Sequence, residues 1–293
     1  MHSDSLVSAD WLASRLDDHN IRIIDCTTHM QAQPVGPSQI ISGRADYNRQ
    51  HLPGAQHIDM VDDLSDPHGQ LPYTAINPSL FAELMNRLDV GPQDHVILYG
   101  QSGVSTITRA WFIFHLNGQP VSILDGGLKG WQAAGYETVQ GPSPETRQAQ
   151  KNAPEPASAL TPRSDLIVDR TAVHKALESG NVQLINALSQ EQFDGTGGAH
   201  YGRPGRIPSS LSLPARDMID PSTGCFWDLT TLRDKVADAG ISINKRSIHY
   251  CGGGIAATTS AFVMHMLGAT DWAIYDNSLL DWSNQADCPM ICD

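Results

Sequence analysis

The chain repeats itself. Tyr99 to Trp131 aligns without a gap on Tyr250 to Trp282, at an offset of 151 residues. Identical pairs run through the alignment: Tyr99 with Tyr250, Gly103 with Gly254, Thr108 with Thr259, Asp125 with Asp276, Leu128 with Leu279 and Trp131 with Trp282. Upstream, His51-Leu-Pro-Gly-Ala matches Arg206-Ile-Pro-Ser-Ser, and Arg22-Ile-Ile-Asp25 matches Gln183-Leu-Ile-Asn186, in the same order. A duplicated domain accounts for both the matches and their order, and 293 residues are enough for two.

The copies are separated by a stretch with little to bury. Residues 141–162 read GPSPETRQAQKNAPEPASALTP, with five prolines. Proline fixes φ and withholds a donor, which favours an extended surface path. The expected organisation is therefore an N-terminal domain over 1–142, a Pro-rich linker over 143–162 and a C-terminal domain over 163–293.

Within each copy, short apolar runs of strand length alternate with helical patterns. Strands are expected at 21–26, 95–99 and 121–124, and again at 182–187, 247–250 and 272–275. A helix over 256–267 would place Ala257, Ala261, Met264 and His265 on one face, with Gly268 as its stop. Such alternation predicts an α/β fold, each domain a mainly parallel sheet flanked by helices. Ligands of such sheets collect beyond the carboxyl ends of the strands.

Composition narrows the partners. Lys and Arg number 19 against 32 Asp and Glu, a net charge of −13. Nucleic acid and anionic membranes both select clustered basic residues, so neither is an expected partner. No apolar run of about 18 residues is present to span a bilayer, and the first residues lack the basic and apolar regions of a secretory signal. A cytoplasmic setting is expected. The five cysteines, Cys26, Cys225, Cys251, Cys288 and Cys292, are odd in number and widely spread, a poor disulfide framework that suits a reducing compartment. Histidines lack metal-ligand spacing, so no metal is expected.

Chemistry concentrates at one loop. Ser247-Ile-His-Tyr250-Cys251-Gly252-Gly253-Gly254-Ile255-Ala256-Ala257 places a cysteine between a strand and a helix. Glycines let the backbone curl so that amides converge, and the helix N-terminus adds partial positive charge. Both favour an anion on sulfur, and the thiolate is the nucleophilic form of cysteine. Most cysteines are inert and buried, but this combination singles out Cys251. The matching position in the first copy is Gly100, so that copy is expected to be silent. A phosphatase loop needs an arginine six positions after the cysteine, and Ala257 stands there, which argues against phosphoryl chemistry.

Tyr47-Asn-Arg-Gln-His51-Leu-Pro-Gly-Ala-Gln-His-Ile58, Asp125-Gly-Gly-Leu-Lys-Gly-Trp131 and Cys251-Gly-Gly-Gly-Ile-Ala-Ala together resemble the rhodanese family of tandem-domain sulfurtransferases. The resemblance covers nearly the whole chain. It implies two rhodanese folds, the second bearing a sulfur-accepting cysteine in a cleft between them. The donor would be a small anion, 3-mercaptopyruvate or thiosulfate, and the acceptor a thiol such as thioredoxin, or cyanide, with no cofactor.

Gly252 matches the mercaptopyruvate branch. Gly253 stands where that branch has serine, Ala256 replaces threonine, and Leu188 stands where a substrate-binding arginine is expected. Arg203 is the candidate carboxylate clamp, with Arg206 as a possible compensating cation. The amides of Gly252, Gly253, Gly254, Ile255, Ala256 and Ala257 are expected to hold the sulfur, and Asp59 to line the cleft. His68, Cys26 and Cys225 are assigned to turns or packing. The rival reading is a non-catalytic sulfur-binding or regulatory module that kept the fold after losing the serine and the arginine.

Overall fold

The structure is a computed structural model that describes residues 5–142 and 160–293. Most of the stretch assigned as the linker, residues 143–159, lies outside the described residues. The first copy runs β1 (Leu6–Val7), α1 (Ala9–Ala13), β2 (Ile21–Asp25), β3 (Thr28–Gln31), β4 (Gln39–Ser42), α2 (Arg44–Arg49), β5 (Gln56–His57), α3 (Pro78–Arg87), β6 (His95–Tyr99), α4 (Val104–Leu116), β7 (Val121–Leu124) and α5 (Gly127–Ala133). The second runs β8 (Ile167–Val168), α6 (Arg170–Ser179), β9 (Gln183–Asn186), α7 (Gln190–Asp194), β10 (Ser210–Ser212), α8 (Leu229–Asp238), β11 (Ser247–Tyr250), α9 (Ala257–Met266), β12 (Trp272–Tyr275) and α10 (Ser278–Trp282).

Two five-stranded sheets result, ordered β1-β7-β6-β2-β5 and β10-β9-β11-β12-β8. Read in the same direction, the two orders are identical, and every pairing within them is parallel. The expected α/β class with mainly parallel sheets is what the chain adopts. The first copy adds an antiparallel ribbon of β3 and β4, which the sequence reading did not anticipate.

The offset of 151 residues survives in local chemistry. Asn77 caps α3 by accepting from the amides of Ser79 and Leu80, and its counterpart Asp228 caps α8 through Thr230 and Thr231. The hydroxyl of Tyr99 accepts the amide of Leu52 at 3.1 Å, and that of Tyr250 accepts the amide of Ile207 at 3.1 Å. Each buried tyrosine thus ties the end of a central strand to the matching His-Leu-Pro or Arg-Ile-Pro loop. Trp131 and Trp282, expected as packing anchors, are both buried, with their indole N–H groups donating to the carbonyls of Glu137 and Pro289.

Helix α9 departs from the one-sided pattern expected of it. All of its residues except His265 are buried. One side covers its own sheet while the other packs against α4, which is apolar all round for the same reason. Along this seam, residues meet their own counterparts: Thr108 Oγ1 lies 2.9 Å from Thr259 Oγ1, and the rings of Trp111 and Phe262 are 4.7 Å apart. One apolar cluster consequently runs through both copies. Among the described residues, no helix is long and apolar enough to cross a membrane.

Candidate active site

Cys251 sits where β11 gives way to the loop before α9, and it is only 2% exposed. All five cysteines are free. The Cys251 amide donates to Ser278 Oγ at 3.1 Å, while that hydroxyl donates to the carbonyl of Tyr275 at 2.7 Å. The carbonyls of Cys251 and Gly252 accept the amides of Leu279 and Leu280, at 3.1 and 2.8 Å. The loop's carbonyls are therefore held by the first turn of α10. The amides from Gly252 to Ala257 donate to no acceptor among the described residues. They form a set of free donors at the N-terminus of α9, suited to an anion.

The glycines are needed for different reasons. Gly254 has φ +81°, and a Cβ there would collide with the Asp276 carbonyl and come within 2.8 Å of its carboxylate. A Cβ at Gly252 would overlap the ring and hydroxyl of Tyr201. At Gly253, where the resemblance calls for serine, a Cβ would meet Leu280 Cδ1 at 2.8 Å.

The first copy supports this loop from across the seam. Arg109, on α4 and 1% exposed, pairs with the Asp276 carboxylate, donates to the Gly254 carbonyl at 3.2 Å and to the Tyr73 carbonyl at 2.7 Å. Asp276 Oδ2 also accepts the amide of Ala75 at 2.9 Å. The counterpart contact is present in mirror form: Asp125 Oδ1 accepts the amide of Phe226 at 2.9 Å. Each aspartate of the repeated pair holds the other copy's loop. A buried charged pair with its remaining valences hydrogen-bonded is costly to break at one end.

Beside the loop lies a cleft of about 240 Å³, walled by Leu188, Gln192, the glycines at 195, 197 and 198, Tyr201 and Leu279. The carbonyl of His200, next to Tyr201, accepts the amide of Gly36 at 2.8 Å, so the first copy also backs this wall.

Arg203 reaches the cleft rim, but its Nε donates to the Ser283 carbonyl at 2.9 Å and its Nη2 to the carbonyls of Gln285 and Cys288. The fork expected to clamp a donor carboxylate is occupied by backbone of the C-terminal segment. Arg206 is likewise engaged. It lies over the Phe193 ring at 4.4 Å, donates to the Phe193 carbonyl, and pairs with Asp293 at 2.6 Å. Its counterpart His51 stacks on Tyr47 at 4.0 Å with Nδ1 against the Tyr47 carbonyl. The guanidinium expected as a compensating cation is thus engaged by Phe193 and Asp293. Asp59 is a turn residue: its Oδ1 accepts the amides of Val61 and Asp62.

At Gly100, the position matching Cys251, a Cβ would meet the Ile107 side chain at 3.1 Å. Cys26 is a core thiol whose Sγ lies against the Tyr99 carbonyl; burial pushes its pKa up. Burial likewise raises half-buried Cys225.

Tyr201, Arg109 and Ser278 escaped the sequence reading. Tyr201 lies outside the gapless repeat, between β9 and β10. Arg109 had one available signal, a lone guanidinium in a helix with no carboxylate to pair it.

Comparison with known proteins agrees with this geometry. A family model for the rhodanese-like domain matches residues 8–134. The chain is 30% identical over 296 residues to the 3-mercaptopyruvate sulfurtransferase of Escherichia coli strain K12, covering 99% of both. It is 29% identical to the mitochondrial thiosulfate/3-mercaptopyruvate sulfurtransferase 1 of Arabidopsis thaliana, covering 98% of this chain and 78% of that one. The crystal structure of SseA from Escherichia coli, a 3-mercaptopyruvate sulfotransferase of rhodanese fold, superposes with a TM-score of 0.77 at 28% identity, covering 94% of this chain and 98% of that one.

Proposed function

The chain belongs to the rhodanese family of tandem-domain sulfurtransferases, and from that footing we propose that Cys251 is its sulfur-carrying nucleophile. What carries the reading is the buried thiol at the mouth of a loop whose amides, Gly252 to Ala257, have no acceptor among the described residues. A thiolate there attacks the sulfur of the donor. With 3-mercaptopyruvate, the carbon–sulfur bond breaks and its electron pair leaves on carbon as the pyruvate enolate, which takes up a proton. Cys251 keeps the sulfur as a persulfide, held by the loop amides. An acceptor thiolate, or cyanide, then attacks the outer sulfur and Cys251 departs as thiolate. This is covalent catalysis in two half-reactions, with ping-pong kinetics.

Treating the protein with donor and weighing it intact is the direct test. Wild type should gain one sulfur and Cys251→Ser none; unchanged uptake in the variant would move the site to another cysteine.

The donor follows from the walls. The loop has no basic side chain, Leu188 and Gln192 line the cleft, and the Arg203 fork is spent on carbonyls. A compact dianion such as thiosulfate needs more opposing charge than a carboxylate monoanion. A higher kcat/KM for 3-mercaptopyruvate than for thiosulfate is expected, as the name of the Escherichia coli relative also suggests. Preference for thiosulfate would overturn this. The rival, a non-catalytic module, is disfavoured by the near-complete match to named sulfurtransferases. A cytoplasmic setting and a thioredoxin-like acceptor complete the proposal.

A further inference from the structure

We propose that Tyr201 is a catalytic hydrogen-bond donor to the sulfur of Cys251 and the lid that keeps that sulfur from water. The proposal rests on the reading of Cys251 as the nucleophile and adds the side chain that serves its anion.

The ring and hydroxyl of Tyr201 fill the space a Cβ at Gly252 would take, so they lie directly against the residue that follows the thiol. Cys251 is buried although it stands at the end of a strand beside an open cleft, and Tyr201 lines that cleft. The loop itself offers no hydroxyl: Gly252, Gly253, Gly254, Ile255 and Ala256 follow the cysteine.

Tyr201 is anchored through its backbone, whose carbonyl accepts from Asn284 Nδ2 at 2.8 Å. Gln192, on the same cleft wall, is fixed as well: Oε1 accepts the Ser189 amide, and Nε2 donates to the Ala199 carbonyl at 2.7 Å. A phenol carries one proton to donate. Burial, then the nearby charge of Cys251, pushes the Tyr201 pKa up to about 12, so this proton stays in place at neutral pH. A neutral O–H beside a sulfur anion is a charge-assisted donor, equally suited to the thiolate and to the outer sulfur of the persulfide.

The test uses the full chain and Tyr201→Phe, which keeps the ring and removes only the donor. The pH for half-maximal alkylation of Cys251 by iodoacetamide should move upward by about one unit or more, the size of one charge-assisted hydrogen bond. The melting temperature should stay near that of wild type. Gly252→Ala, which displaces the ring, should shift the alkylation profile in the same direction and also raise the alkylation rate at high pH, because the lid no longer covers the sulfur. An unchanged profile in Tyr201→Phe overturns the donor role, and an unchanged high-pH rate in Gly252→Ala overturns the lid. Intact-mass measurement keeps the two readings apart. If wild type and Tyr201→Phe both gain one sulfur from 3-mercaptopyruvate while the profile stands still, only the Tyr201 proposal fails. If neither gains sulfur on Cys251, the nucleophile reading fails with it.

Discussion

Ser278 occupies a left-handed backbone position, φ 48°, where its counterpart in the first copy is Gly127 at φ 54°. A side chain in that conformation costs of order 1–3 kcal/mol, and here it supplies the hydroxyl that receives the Cys251 amide. The copy with Gly100 at the matching loop position has no such hydroxyl there. Ser278→Gly should therefore relieve strain while losing two buried hydrogen bonds, each worth about 1 kcal/mol. The two effects nearly offset, so the melting temperature should move by only a few degrees while the rate of sulfur uptake by Cys251 falls. A large loss of stability with unchanged uptake would contradict this. The residue scale is also where the sequence was hardest to read. Arg203 and Arg206 carry the charge and geometry of a substrate clamp, but which acceptors a guanidinium meets depends on chain segments some 80 residues away, Ser283 to Asp293. Spacing along the chain holds no record of that.

At the scale of elements, strands were legible because a parallel strand buried on both faces is a short continuous apolar run. The expected 95–99, 121–124, 247–250 and 272–275 coincide with β6, β7, β11 and β12. Helix α9 was legible in extent but not in partner, since a helix buried all round shows no face. At the end of its seam with α4, His115 stacks on Trp111 at 4.7 Å, lies 5.0 Å from the ring of His265, and accepts from Arg163. Burial, together with the neighbouring imidazole and guanidinium, pushes the pKa of His115 down to about 3, and burial with Arg163 pushes His265 to about 4. Both rings are then neutral in the folded chain but take up protons in the unfolded one below about pH 6.5. The unfolded state binds more protons in that range, so the stability is fully present above about 6.5 and is lost as pH falls toward 4 and then 3. Melting temperature measured from pH 7.5 to 4.5 should decline on the acid side, and His115→Phe, which keeps the stacking, should flatten the decline. An identical slope in the variant would remove His115 from the account.

For the molecule as a whole, one apolar cluster runs through both copies, and Arg109 of the first copy holds the loop that follows Cys251 through the Gly254 carbonyl, while it and the Ala75 amide bind Asp276. A fragment beginning at Leu160 would bare the α4-facing side of α9, including Phe262, and leave Asp276 without its guanidinium. It should be poorly soluble and take up little sulfur; full uptake by that fragment would show that the first copy is dispensable. The duplication was legible because a gapless offset needs no structure to detect it, whereas the way the copies face each other was not. That arrangement has a consequence for symmetry. Thr108 touches Thr259 and Trp111 touches Phe262, each its own counterpart, while Asp125 and Asp276 exchange the same contact in opposite directions. A residue can meet its own equivalent only on a two-fold axis, so the seam is an isologous interface. The fused chain has the geometry of a symmetric homodimer, and Gly100 and Cys251 differ across a contact that treats both halves alike.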